Sequence, residues 1–204
     1  MYAVARKIAR NAPPTVGVLS VVNRDAAVDT MVLAFAADPI ARWWWPEPQQ
    51  YLASMPGFTR AFGGAAFGYG TAHCTADGAG AALWLAPGVE PDEAELLAIV
   101  ETTVAPALRD DVLAMVEAMG SHHPDEPHWY LPMIGVQPAR QGRGHGAALL
   151  RHQLARCDAE GTLAYLESSN PRNIGLYLRH GFEIAGEIQV GSSPVMTPML
   201  RRPR

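Results

Sequence analysis

Between positions 141 and 147 the chain reads Gln141-Gly142-Arg143-Gly144-His145-Gly146-Ala147. Three glycines within five positions let a backbone bend tightly and aim several N–H groups at one point. An apolar, strand-like stretch, Trp129 to Val136, lies upstream, and a helix-like stretch, Ala147 to Ala159, follows at once. The N-terminus of a helix carries partial positive charge. Together these features make a socket for a phosphate group.

Three kinds of phosphate loop compete for this segment. A P-loop needs a lysine after its second glycine, and the only lysine of the chain is Lys7. The dinucleotide fingerprint G-x-G-x-x-(G/A) fits formally through Gly142, Gly144 and Ala147. That fingerprint follows its strand directly, whereas Gln137-Pro138-Ala139-Arg140-Gln141 intervenes here. The remaining C-terminal chain is also too short for a doubly wound sheet with a substrate site. The third pattern is Gln or Arg, then Gly three positions on, then Gly or Ala two further. Gln141, Gly144 and Gly146 satisfy it.

The stretch Ile134-Gly135-Val136-Gln137-Pro138, followed by Arg140-Gln141-Gly142-Arg143-Gly144-His145-Gly146, resembles the acetyl-CoA loop of the GCN5-related N-acetyltransferase (GNAT) family. A second segment agrees. Leu166-Glu167-Ser168-Ser169-Asn170-Pro171-Arg172-Asn173, then Leu176-Tyr177-Leu178-Arg179-His180-Gly181-Phe182, resembles that family's "N…LY…GF" segment at the usual distance. The phrases around Glu126-Pro127-His128-Trp129 and Glu167-Ser168-Ser169 are most similar to puromycin N-acetyltransferase-like members. The resemblance implies an α/β fold: a mixed, mostly antiparallel sheet of six to seven strands flanked by helices, with splayed central strands. It implies one domain over 1–204, its acceptor half at about 15–127 and its acetyl-CoA half at about 128–204.

The resemblance also implies roles. Backbone N–H groups from Arg143 to Ala147 would bind the pyrophosphate of acetyl-CoA, with side-chain help from Arg143 and His145. The strand around Ile134, Gly135 and Val136 would pair with the pantetheine amides. Asn170, Asn173 and Tyr177 complete the cofactor set. A leaving CoA thiolate needs a proton, and the Tyr177 phenol can donate one. Glu167 and His128 are candidate bases for the attacking amine, with Glu126 and Tyr130 behind them. Trp43 and Trp44, with Tyr130, are expected to line the acceptor site, where an aromatic ring can stack on a flat or cationic molecule. A protein N-terminus or lysine as acceptor, or a CoA-binding sensor without turnover, stays open.

Composition agrees with a soluble enzyme. The net charge is −4, which argues against a nucleic-acid platform. Its distribution is uneven: ten acids and one base, Arg109, from Glu90 to Glu126, but four arginines and no acid from Gln137 to Arg156. An anionic cofactor suits the second block and a cationic amine the first. No apolar run approaches the ~20 residues of a membrane span, and no secretory signal opens the chain. Cys74 and Cys157 read as packing residues in a reducing cytoplasm. Adjacent His122 and His123 have no Cys nearby, so no metal is expected. Monomer and homodimer are both compatible.

The elements that must position these groups follow from periodicity and punctuation. A loose lead-in covers Met1–Pro14. A strand is expected over Val16–Val22, then a helix over Ala26–Ala37 capped by Asn23 or Asp25 and ended by Pro39. Tyr51–Tyr69 reads as helical. Thr71–Thr75 and Ala81–Leu85 form a hairpin around Asp77-Gly78-Ala79-Gly80. Glu93–Met119 is helical with a break at Pro106, and Ser121–Pro127 is a loop. Then come strand His128–Val136, the glycine loop, helix Ala147–Ala159, strand Thr162–Ser168, helix Pro171–Arg179, and strands Phe182–Val190 and Val195–Arg201. Asn170 with Pro171, and Gly181 at the far end, bracket the last helix.

Overall fold

The computed structural model describes residues 16–21 and 23–204. The expected lead-in and Val22 lie outside them. Among the described residues seven strands form one sheet in the order β1-β2-β3-β4-β5-β7-β6. They are β1 (Val18–Ser20), β2 (Ala72–Thr75), β3 (Gly80–Leu85), β4 (His128–Val136), β5 (Leu163–Ser168), β6 (Glu183–Ile184) and β7 (Thr197–Arg201). Only β4 and β5 pair in parallel; every other neighbour is antiparallel.

Side chains alternate across this sheet, as the two-residue period of a strand requires. Leu83, Leu85, Tyr130 and Tyr165 face one core cluster, while Ala82, Trp84, Trp129, Leu131 and Leu166 face the other. The first cluster is covered by α1 (Arg24–Ala34), α2 (Pro39–Trp44), α3 (Pro48–Gly63), α5 (Glu93–Thr103) and α6 (Arg109–His122). A short α4 (Ala65–Tyr69) follows α3. The second cluster is covered by α7 (His145–Glu160) and α8 (Pro171–Arg179).

The centre of the sheet opens. β4 and β5 pair over His128–Tyr130 with Leu163–Tyr165, and no further. Beyond that point β4 pairs only with β3 and β5 only with β7. The cause sits on β4. Leu83 is opposite Met133 but Leu85 is opposite Tyr130, so β4 carries one extra residue at Leu131-Pro132. Such a bulge bends its strand, and Pro132 has no N–H to offer a neighbour. The phase of the side chains slips there as well: Tyr130 and Met133, three apart, share one core cluster.

Several expected boundaries move. Pro39 does not end the first helix, which stops at Ala34; it opens α2, with Asp38 as N-cap accepting from the N–H groups of Ile40 and Ala41 at 3.0 and 3.2 Å. α6 runs on through His122, so the first two residues of the expected loop, Ser121 and His122, are helix. The expected strand Phe182–Val190 shrinks to Glu183–Ile184 plus one bridge, Ile188 to Met196. The carbonyl of Pro198 accepts from Ala185 at 2.8 Å, so the N–H that Pro198 lacks is the one due on that same side. The final strand begins at Thr197 rather than Val195.

Gly135 shows how tightly α1 seats on the sheet. A Cβ there would lie 2.6 Å from Ala34 Cβ and 3.0 Å from Met31 Sδ. Gly135→Ala should therefore destabilise the fold by about 1–3 kcal/mol through overpacking, read as a lowered urea midpoint at unchanged slope.

Candidate active site

The glycine loop sits between a 3₁₀ turn at Pro138–Arg140 and α7. Gly142 and Gly144 take φ of 72° and 89°, backbone that L side chains rarely adopt. Gly144 is the N-cap of α7 and supplies no side-chain cap, and the first α7 amide to reach a helical carbonyl is that of Ala148, bonded to Gly144 O at 2.9 Å. The preceding amides, His145 to Ala147, are left for an outside acceptor. This is the anion socket that the spacing predicts. Arg143 is exposed beside it.

One side chain of the loop, His145, faces inward. His145 is 6% exposed, and its Nε2 lies 3.0 Å from Asp77 Oδ2. Arg140 grips the same carboxylate. These two partners, His145 first, hold the Asp77 carboxyl well below the usual range. His145 thus has its backbone N–H, not its imidazole, to offer a ligand. Gln141 Nε2 donates to Val136 O at 3.1 Å and ties the loop to β4.

On β4 the backbone divides its work. Gln137 N–H donates to Ala79 O at 2.8 Å, and alternation then turns Gly135 toward β3 and Ile134 and Val136 toward the gap. Ile134 lines the cavity there. Gly135 serves α1 packing instead. Gly146 is close-packed, with a Cβ position 3.3 Å from Leu176 of α8.

The gap leads into a cavity of about 1020 Å³. Both core clusters contribute to its wall, Met55 and Met115 from one and Leu166 and Tyr177 from the other. It therefore passes through the opening in the sheet. Of the expected site residues, Glu167, His128, Tyr130, Trp44, Asn173 and Tyr177 line it. Trp43 does not; its indole donates to Ser192 Oγ at 3.1 Å, and Trp45 takes the place beside Trp44. Asn170 caps α8, accepting from Arg172 N–H at 3.1 Å. Its work is to place Tyr177, one helical stretch further on.

Burial, with the charge of Asp38 adding to it, pushes the Tyr177 phenol well above its usual range. Asp38 itself was not among the expected residues. It is 6% exposed, lines the cavity and accepts from Ser169 Oγ at 2.6 Å. Desolvation raises its pKa despite that bond and the two helix amides. His123 was also missed as a chemical group. It follows α6, packs edge-on against Tyr130 and tilted against Tyr165 with ring centroids 4.5 and 4.6 Å away, and places Nε2 3.4 Å from Glu167 Oε1. Burial, then the Glu167 charge, raises both tyrosines. Among the described residues no group of three or more His, Cys, Asp and Glu is arranged for a metal, and no helix is long and apolar enough to cross a membrane.

A loop of free amides at a helix start, beside parted strands, is a family architecture as well as a local one. The profile of the Acetyltransferase (GNAT) family matches residues 39–182. The chain belongs to the GNAT family. An uncharacterized N-acetyltransferase of Schizosaccharomyces pombe is 34% identical over 82 residues, 39% of this chain and 33% of that protein. The match thus spans about a third of the length of that curated relative. A solved structure described as histone acetyltransferase HPA2 and related acetyltransferase, from Corynebacterium glutamicum, superposes with TM-score 0.67 at 26% identity, over 94% of this chain and 98% of that one. Arylalkylamine N-acetyltransferase 2 of Aedes aegypti (TM-score 0.63, 12% identity, 94% and 100% coverage) shares the fold. So does an agmatine N-acetyltransferase (TM-score 0.63, 14% identity, 93% and 100% coverage). The GNAT members confirm the expected α/β sheet; nothing among them singles out the puromycin-type relatives.

Asp38 makes a prediction about stability. Its folded pKa is raised, so its favourable contribution is complete below the ordinary aspartate value of about 4 and is lost as pH rises through the raised value. Asp38→Asn keeps an oxygen for the α2 cap and removes the buried charge. Its Tm should fall less than that of the unmodified protein between mildly acidic and neutral pH, measured by calorimetry across that range.

Proposed function

We propose that this protein is an acetyl-CoA-dependent N-acetyltransferase that transfers acetyl directly to the amine of a small cationic molecule with an apolar body. The observation that carries this reading is the gap: unpaired backbone of β4 runs from the free amides of α7 to the cavity. An acyl donor with a diphosphate at one end and amides along an extended arm fits that path, because the start of α7 presents free amides and Ile134 turns its backbone toward the gap. The half from about 128 onward would hold this donor, through Ile134, the amides of Arg143 to Ala147, Asn173 and Tyr177. The half at about 15–127 would supply most of the acceptor wall.

The wall supports the acceptor class. Asp38, Glu90, Glu93, Asp125, Glu126 and Glu167 line the cavity, with no Lys or Arg lining it among the described residues. Aromatic rings of Trp44, Trp45, Phe58, Phe62 and Tyr130 pack beside them. Carboxylates attract an ammonium, and the rings bury its apolar body. The depth of the cavity favours a small molecule over a folded protein surface.

In the reaction the amine nitrogen attacks the thioester carbonyl, a C–N bond forms and the C–S bond breaks. Donors on the free edge of β4 steady the carbonyl oxygen. Tyr177, kept protonated by burial, gives its proton to the departing sulfur.

Incubation with acetyl-CoA and a panel of amines, followed by free-thiol release, tests the activity; cationic amines with aromatic or branched apolar bodies should release thiol fastest. Release by none of them would reject the reading. Tyr177→Phe should lower kcat roughly 10²-fold with little change in acetyl-CoA affinity. Gly144→Val, which cannot hold a φ of 89°, should weaken acetyl-CoA binding about tenfold or more by calorimetry.

A further inference from the structure

Three polar groups on the cavity wall stand in a row. His128 Nδ1 lies 2.9 Å from the carbonyl oxygen of Glu126. His123 Nδ1 lies 3.1 Å from His128 Nε2. His123 Nε2 lies 3.4 Å from Glu167 Oε1. All three side chains line the cavity. Glu167 is 2% exposed at its side chain, and its Oε1 has no hydrogen-bond partner among the described residues.

Counting hydrogens along the row is decisive. Both ends, a carbonyl and a carboxylate, only accept. Three contacts therefore need three hydrogens, whereas two neutral imidazoles carry two. The Glu126 carbonyl claims the hydrogen on His128 Nδ1. His128 Nε2 is then bare and takes the hydrogen on His123 Nδ1. His123 Nε2 is left bare against a bare carboxylate oxygen. The distances follow that order: two contacts at hydrogen-bond length, and the third longer. The row is one proton short, and the vacancy lies between His123 and Glu167.

We propose that Glu167, His123 and His128 form a single proton-accepting chain for the attacking amine, with His123 as the link that makes it one unit. The inference rests on the acetyl-transfer reading and deepens it. An acceptor ammonium surrenders one proton to the vacancy, which closes the third hydrogen bond and leaves a free amine. That amine forms its bond to the acetyl carbon, the CoA sulfur gains a proton from Tyr177 as the C–S bond breaks, and the second amine proton, released as the amide forms, restores the Tyr177 phenol. The sums balance: ammonium and thioester give amide, thiol and one proton. That proton leaves the chain for water to reset it.

The surroundings restrict the role to these groups. Tyr130 on β4 and Tyr165 on β5 face the same carboxylate and are held protonated. Burial lowers His128, with the His123 ring adding to it, while the Glu126 carbonyl and the charges of Glu90 and Glu167 act in the opposite sense. A lowered imidazole keeps the chain from filling before substrate arrives. His122, next along, turns its Nδ1 to Ala118 O at 2.8 Å and stays outside.

Long-range ¹H–¹⁵N spectra of the imidazoles, recorded on the whole protein, test the chain without turnover. At alkaline pH both rings should carry hydrogen on Nδ1. On acidification the first proton taken up should shift the nitrogens of both rings together, and Glu167→Gln should weaken that uptake about tenfold. Rings that respond separately, unmoved by Glu167→Gln, would overturn the proposal. In the enzymatic arm, His123→Phe keeps an aromatic ring against Tyr130 and Tyr165 and should lower kcat roughly 10²-fold near neutral pH. Acetyl-CoA affinity should hold, and the deficit should shrink at alkaline pH, where the amine sheds its own proton. Turnover within about twofold of the unmodified protein at every pH would also overturn it. If the unmodified protein releases no thiol, the acetyl-transfer reading fails, and the spectra still decide the chain.

Discussion

A sheet cannot leave interior backbone unpaired without a reason, because each buried N–H or C=O lacking a partner is costly. In this fold that constraint is relaxed at one place, where the bulge at Leu131-Pro132 turns β4 away from β5. Everything chemical gathers around the opening. α7 starts at one end of it, α8 delivers Tyr177 to its side, and Glu167 and His128 lie along its rim. Both helical layers lend residues to the cavity wall, so the cavity joins both faces of the sheet. The parted strands are thus the origin of the site, and the flanking helices furnish it.

How much of this was legible depended on the range of the forces involved. The glycine loop and the Asn170-Pro171 start of α8 are local, and their residues announce them. Asp38-Pro39 has the same grammar as Asn170-Pro171 but reads as a stop, because a helical pattern runs up to it from Ala26. The signal was available: an N-cap residue followed by Pro is a start signature of a helix. The shortening of β6 was also foreseeable in principle, since Pro198 in the partner strand removes a ladder donor.

Other features needed the assembled chain. Which of Trp43, Trp44 and Trp45 faces inward depends on how the short helix α2 is laid against α3, and no periodicity over six residues decides it. Gly135 looks like part of a cofactor strand, yet its missing side chain serves α1. His123 gains its meaning from Glu167, forty-odd positions away in sequence and on another element. Proximity of that kind is created by topology, here by the single parallel pairing in the sheet. The candidate base residues were readable one at a time; their connection was not.

Asp77 sits in the β2–β3 hairpin, and Arg140 and His145 reach it from opposite sides of the glycine run. The loop is consequently clamped at both shoulders by a turn that belongs to a different part of the sheet. Gln141, bound to Val136 O, adds a third tether. A segment rich in glycine would ordinarily lose much freedom on meeting a ligand. Here that loss is incurred when the chain folds, so the conformational entropy charged against ligand capture is small. Glycine supplies the shape, and a distant carboxylate supplies the stiffness.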